Sequence, residues 1–197
     1  MFIIKRKQQK KMILITAPHS YCSSKLLYRH CDRIAYEMAT LLHDKIKPHA
    51  PVELVLAEDF RYNMDFNRPI SEKSPFQQRI NNIIKENKVV FCLDIHSFPK
   101  FKIDNNDVYI LRHDYNSPLV DEFILYLQNK IKIKEYKGES QKETTDHIYV
   151  NYILDKMVDN KIPALLFEFY EYATKSRKEE LVEIFASFWI DYFKKKK

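Results

Sequence analysis

The chain has 197 residues, with 45% hydrophobic and 14% aromatic residues, a composition that excludes a disordered polypeptide and gives one domain a full core. Its 33 Lys and Arg against 27 Asp and Glu leave a net charge of +6. A single glycine excludes both a GxGxxG dinucleotide fingerprint and a Walker P-loop, each of which needs several glycines to let backbone approach phosphate.

Much of the positive excess lies in two short runs, KRKQQKK at 5–11 and KKKK at 194–197. These read as a basic tail (1–11) and a lysine tail (194–197) on a single domain spanning 1–197. Without them the body is near neutral, which argues against a phosphate-binding face and so against a nucleic-acid partner. Three cysteines without a CxxC pair predict neither a disulfide framework nor a zinc finger, and fit a reducing, cytoplasmic setting. No apolar run approaches the ~20 residues of a membrane span.

In chain order, MILITA (12–17) reads as a strand followed at once by Pro18, His19 and Ser20. Ser23 or Ser24 is placed to cap a helix over 25–44, with Leu26, Ile34, Met38, Leu41 and Leu42 on its apolar face. VELVLA (52–57) is a second strand, and the polar, aromatic stretch 58–75 is a long loop of the kind that carries function. A helix over 74–87 starts at Pro75. The run 89–95 then has the β-branched, unbroken apolar character of a strand buried on both faces. Residues 107–111 make a further strand, 117–131 a helix and 133–136 a short strand. A helix over 146–160, a strand over 164–169 and a Ser176-capped helix to 193 complete the chain. Strands alternating with helices predict a three-layer α/β/α domain with a mostly parallel, mixed sheet.

The central run ends in Asp94, His96 and Ser97. Open α/β sheets place ligands at the carboxyl ends of their strands, and His19 and His96 each follow a predicted strand while Glu168 lies near the end of a third. Two imidazoles and a carboxylate at one sheet edge are the donor set of a metal-assisted hydrolase. A structural reading, with histidines hydrogen-bonded in place and Glu168 paired to a lysine, is equally open on spacing alone.

Four motifs add to this: APHS (17–20), FRYNMDFNRP (60–69), LDIHSFP (93–99) and LLFEFYE (165–171). In this order they resemble the N-formylglutamate amidohydrolase family, whose fold is related to the zinc carboxypeptidases. The resemblance implies a zinc-dependent amidohydrolase acting on an N-formyl or N-acyl amino acid, or another small amide with a free carboxylate. It implies His19 and His96 as Zn2+ ligands, Glu168 as general base, and Arg61, Asn67 and Arg68 as the cradle for the substrate carboxylate. Asp94, Asp65 and Ser97 would brace these groups. The carboxypeptidases carry a glutamate three residues after the first histidine, where this chain has Cys22; Asp32, at the start of the following helix, is the preferred third ligand and Cys22 the alternative. Tyr21 stands where the family has a glycine. A carboxypeptidase-like peptidase and a non-catalytic binding module on the same fold are the alternatives. Oligomeric state is not legible.

Overall fold

A computed structural model describes residues 9–22, 31–59, 63–98, 106–112, 117–137 and 151–196. Six strands alternate with five helices: β1 (Lys11–Ala17), α1 (Ala35–Ile46), β2 (Val52–Leu56), α2 (Pro75–Glu86), β3 (Lys88–Phe98), β4 (Val108–Arg112), α3 (Pro118–Gln128), β5 (Ile133–Lys137), α4 (Tyr152–Asp159), β6 (Ala164–Tyr170) and α5 (Lys175–Lys195). The strands form one sheet in the order β2-β1-β3-β6-β4-β5. β2, β1, β3 and β6 are parallel, β4 runs antiparallel to β6, and β5 is parallel to β4. The expected mixed, mostly parallel sheet is therefore the one that forms. No helix among the described residues is long and apolar enough to cross a membrane.

Strand alternation sorts the core into two halves. Ile13, Ile15, Leu93, Ile95, Leu165 and Phe167 join α1, α3 and α5 in the larger cluster. Leu14 and Cys92 point the other way, into a smaller cluster with Ile80 and Ile83 of α2 and Ile153 and Met157 of α4. By the same parity Thr16, Asp94, His96 and Glu168 belong to the α2/α4 side. β3 is longer than expected, because β6 pairs with it through Phe98↔Tyr170. His96 therefore lies within the strand rather than after it, directly opposite Glu168.

The helix ends follow their caps. Ser74 accepts a hydrogen bond from the Gln77 N–H at the start of α2 (3.2 Å), with Pro75 in the first turn. α5 is capped by Thr174, which accepts from the Arg177 N–H, and not by Ser176. Its last turn contains Lys194 and Lys195, so the expected lysine tail begins as helix, where cations suit the dipole. α1 starts at Ala35, and Leu41 is 36% exposed because Ala35, Met38, Ala39, Leu42 and Ile46 make the buried stripe. The expected caps Ser23 and Ser24, and the start of the helix expected at 146, lie outside the described residues.

Two cross-links close the segment between β1 and α1. The Asp32 N–H donates to the His19 carbonyl at 3.0 Å, and Cys22 and Cys31 form a disulfide with Cα atoms 5.4 Å apart. The expectation of three reduced cysteines is thus wrong for two of them; only Cys92, buried in β3, is a free thiol. Cysteine usage consequently gives no argument for a reducing compartment.

Phe123 is fully buried, and its ring centroid lies 4.6 Å from Phe188 and 5.0 Å from Trp189, with Phe91, Phe167 and Phe185 around it. Phe123→Ala is expected to cost about 3–5 kcal/mol in denaturant unfolding; a loss below ~1 kcal/mol would contradict this packing. Replacing Cys22 and Cys31 together by serine frees a loop with a sequence separation of 9 and is expected to cost about 2.5 kcal/mol in the same assay. An unchanged midpoint would show that the bridge is not formed.

Candidate metal centre

His19 leaves β1 in a tight turn whose geometry is fixed by Ser20. The Ser20 hydroxyl donates to the Ala17 carbonyl (2.8 Å) and accepts from the Ala57 N–H at the end of β2 (3.1 Å). Asp32 is brought back beside this turn by its own N–H and by the disulfide at its N-terminal side. His96 arrives from β3. The three side chains are buried, and one donor atom from each lies within 4.8 Å of the others, a group able to hold a metal ion.

The two imidazoles are oriented alike. His96 Nδ1 is 2.8 Å and His19 Nδ1 3.4 Å from the same oxygen, Asp32 Oδ2. On the far side of each ring Nε2 meets a second carboxylate: His19 faces Asp65 Oδ1 at 2.8 Å, and His96 faces Asp94 Oδ2 at 3.1 Å. A carboxylate facing Nε2 fixes each ring so that Nδ1 is the nitrogen turned inward toward Asp32. The rings stand edge to face with centroids 4.8 Å apart.

Burial alone would raise the Asp32 pKa, but its bonds to the two histidines outweigh burial and hold the carboxyl far below the usual range. Burial alone would lower that of His96; the charge of Asp94 and the bonds to Asp32 and Asp94 instead push it well up. Without a metal, His96 is therefore an imidazolium between two carboxylates. His19 Nδ1, by contrast, is a buried nitrogen that makes no well-formed hydrogen bond among the described residues and approaches Asp32 Oδ2 only to 3.4 Å. An inward-facing imidazole nitrogen loosely placed beside an ionised carboxylate fits a cation between them.

The bracing groups are themselves held. Asp94 is fully buried and accepts from the Thr16 hydroxyl (2.7 Å, Oδ1) and from Asn151 Nδ2 (3.1 Å, Oδ2). Asp65 accepts from the Asn67 N–H (3.0 Å) and from Arg68 Nε (3.3 Å), and so touches both Arg68 and His19. Asn67 is buried, and its side-chain oxygen accepts from the Ile153 N–H at 3.2 Å while its carbonyl accepts from Tyr152 N–H at 3.3 Å. It thus anchors the first turn of α4. Arg68 is partly exposed beside the centre. Ser97 donates to Glu171 Oε1 (3.1 Å), which also accepts from the Arg33 N–H (3.1 Å), tying the neighbours of His96 and Asp32 together.

Glu168, half-buried, shares the sheet face of Asp94 and His96. Cys22, the alternative ligand, is ruled out by its disulfide, since a bridged sulfur offers no thiolate. Arg61 lies outside the described residues. Thr16, Asn151 and Glu171 were not singled out from sequence. Asn151 carried one signal, a cap residue ahead of the apolar pattern of YILDKM; Thr16 and Glu171 carried none.

No family model and no curated protein matches the chain. Solved structures do match its fold. The gene product Atu2144 of Agrobacterium tumefaciens aligns with a TM-score of 0.70 at 17% identity, over 94% of this chain and 91% of that one. An N-acetylmuramoyl-L-alanine amidase from Clostridium difficile 630 aligns with a TM-score of 0.60 at 10% identity, over 96% and 100%. The N-formylglutamate amidohydrolase of Ralstonia eutropha JMP134 aligns with a TM-score of 0.58 at 9% identity, over 98% and 97%. At these identities the likeness is one of fold: the chain has the architecture on which these amidases are built.

Proposed function

We propose that this protein is a metal-dependent hydrolase of a linear amide, with His19, Asp32 and His96 as ligands and Zn2+ as the metal. The observation that carries this reading is the buried, inward convergence of two Nδ1 atoms, at 2.8 and 3.4 Å, on one ionised carboxylate oxygen. Nitrogen and oxygen donors of this kind, three in number, suit zinc with a position left for water and substrate. When bound, the ion supplies a Lewis acid that acidifies water and polarises a carbonyl.

The rest falls to the chain. Glu168, opposite His96 on the same face, takes the proton from the attacking water and returns it to the departing amine nitrogen. Asp65 and Asp94 keep the Nε2 protons in place, so both rings present the same nitrogen throughout. Arg68, with Arg61, offers the planar fork suited to a substrate carboxylate. The substrate is then an N-formyl or N-acyl amino acid or a related small acid, the class that the four motifs imply. The fold shared with two amidases agrees with amide cleavage.

Elemental analysis of the purified protein should find about one zinc per chain. Glu168→Gln should retain it while amide hydrolysis falls 10²-fold or more; Arg68→Ala should chiefly raise KM for carboxylate-bearing substrates. A fully active Glu168→Gln protein, or one that has lost its metal, would remove Glu168 from the base role. Metal uptake should also depend on pH. The proton that folding holds on His96 must leave before Nδ1 can bind, so apparent affinity should fall about tenfold per pH unit on acidification below the raised His96 pKa. A pH-independent affinity would show that the ion binds elsewhere.

A further inference from the structure

We propose that Asn151 is a positioning residue for the centre, acting on His96 through Asp94. The inference rests on the metal reading above and deepens it.

Asp94 is a fully buried carboxylate with three side-chain donors. Two come from the sheet itself: Thr16 at the register position opposite Asp94 in β1, and His96 two residues further along β3. Asn151 reaches it from outside the sheet. Its carboxamide is fixed at both ends. Oδ1 accepts from the Leu154 N–H at 2.7 Å and so caps α4; Nδ2 therefore faces the other way, and donates to Asp94 Oδ2 at 3.1 Å. The cap removes the usual ambiguity of an amide, because a flipped side chain would point an NH2 at the Leu154 N–H and an oxygen at a carboxylate.

Asp94 Oδ2 is the same oxygen that receives His96 Nε2. The Asn151 N–H thus fixes where that oxygen sits, and with it the angle at which His96 turns Nδ1 toward Asp32. α4 is itself docked by Asn67, whose carbonyl and side-chain oxygen accept from Tyr152 and Ile153. Since Asn67 also donates its N–H to Asp65, the first turn of α4 is connected to the carboxylates behind both histidines. One short helix start sets the orientation of two imidazoles.

Helix capping and positioning can be separated by substitution. Asn151→Asp is isosteric and caps a helix as well as asparagine does, but it turns the second end from an N–H donor into an oxygen against the Asp94 carboxylate. Asn151→Ser keeps a cap and loses the bond to Asp94 without adding charge. Affinity for Zn2+, read by competition with a chromophoric chelator, should fall roughly ten- to a hundredfold in Asn151→Asp, with Asn151→Ser between it and the wild type. Denaturant midpoints of the three metal-stripped proteins are measured alongside. Equal affinities in all three proteins, or affinities that merely follow the order of unfolding stability, would leave Asn151 as a helix cap alone and overturn the inference. A wild-type protein that takes up no zinc would overturn the metal reading, and this inference with it.

Discussion

Two imidazole nitrogens and one carboxylate oxygen, turned toward one another and buried, set the terms for the rest of this molecule. Such an arrangement is unfavourable unless something positive lies within it. An ionised group out of water needs compensation of several kcal/mol, and a buried nitrogen lone pair that accepts no hydrogen bond costs about 1–3 kcal/mol. Protonation of His96 relieves part of this cost, yet His19 Nδ1, 3.4 Å from Asp32 Oδ2, still makes no well-formed hydrogen bond among the described residues. Evolved interiors rarely keep buried polar groups so poorly satisfied without use.

Holding it open takes rigid support from several directions. Parallel pairing of β1, β3 and β6 sets His19, His96 and Glu168 by strand register, where a slip of one residue would invert every side chain. The larger aromatic cluster on the opposite face keeps that register, because the same strands bury Leu93, Ile95 and Phe167 into it. Asp32 has no strand behind it. Its place comes from a backbone hydrogen bond to His19 and from the disulfide at its neighbour Cys31, so the carboxylate outside the sheet is the one held covalently.

What could be read in the sequence follows from how local each determinant is. The apolar run of β3 is a property of a few consecutive residues and was legible. Although His96 was placed after the strand and lies within it, the gathering of Asp94 and His96 at its carboxyl end was legible too. So was the carboxylate Asp32 as a partner of the histidines, though only through a resemblance. The Cys22–Cys31 bridge was not, since a separation of 9 residues without a motif says nothing about whether the ends meet; they meet because Asp32 returns to His19. Leu41 was misplaced because five other positions already complete the stripe of α1. Asn67, expected to face a substrate, also anchors α4, a role decided by a helix more than eighty positions further along the chain. Buried polar residues are read poorly from sequence for this reason: their partners are set by topology.

Charge balance connects the proposed metal to the proposed substrate. Asp32, Asp65 and Asp94 bring three carboxylates to the two histidines, and Arg68, bonded through Nε to Asp65, brings one permanent cation. A divalent ion would make these groups neutral together, whereas the His96 proton leaves them with one excess negative charge. A neutral, loaded centre no longer repels an anionic substrate, and the arginine fork is then open in electrostatic terms to a carboxylate. Asp65 lies at the junction, because one of its oxygens faces His19 Nε2 and the other Arg68 Nε. Any pull that a bound carboxylate exerts on Arg68 is felt by the group that orients His19. If Arg68 binds the substrate carboxylate as proposed, substrate recognition and metal geometry would share Asp65, and a change in one would disturb the other.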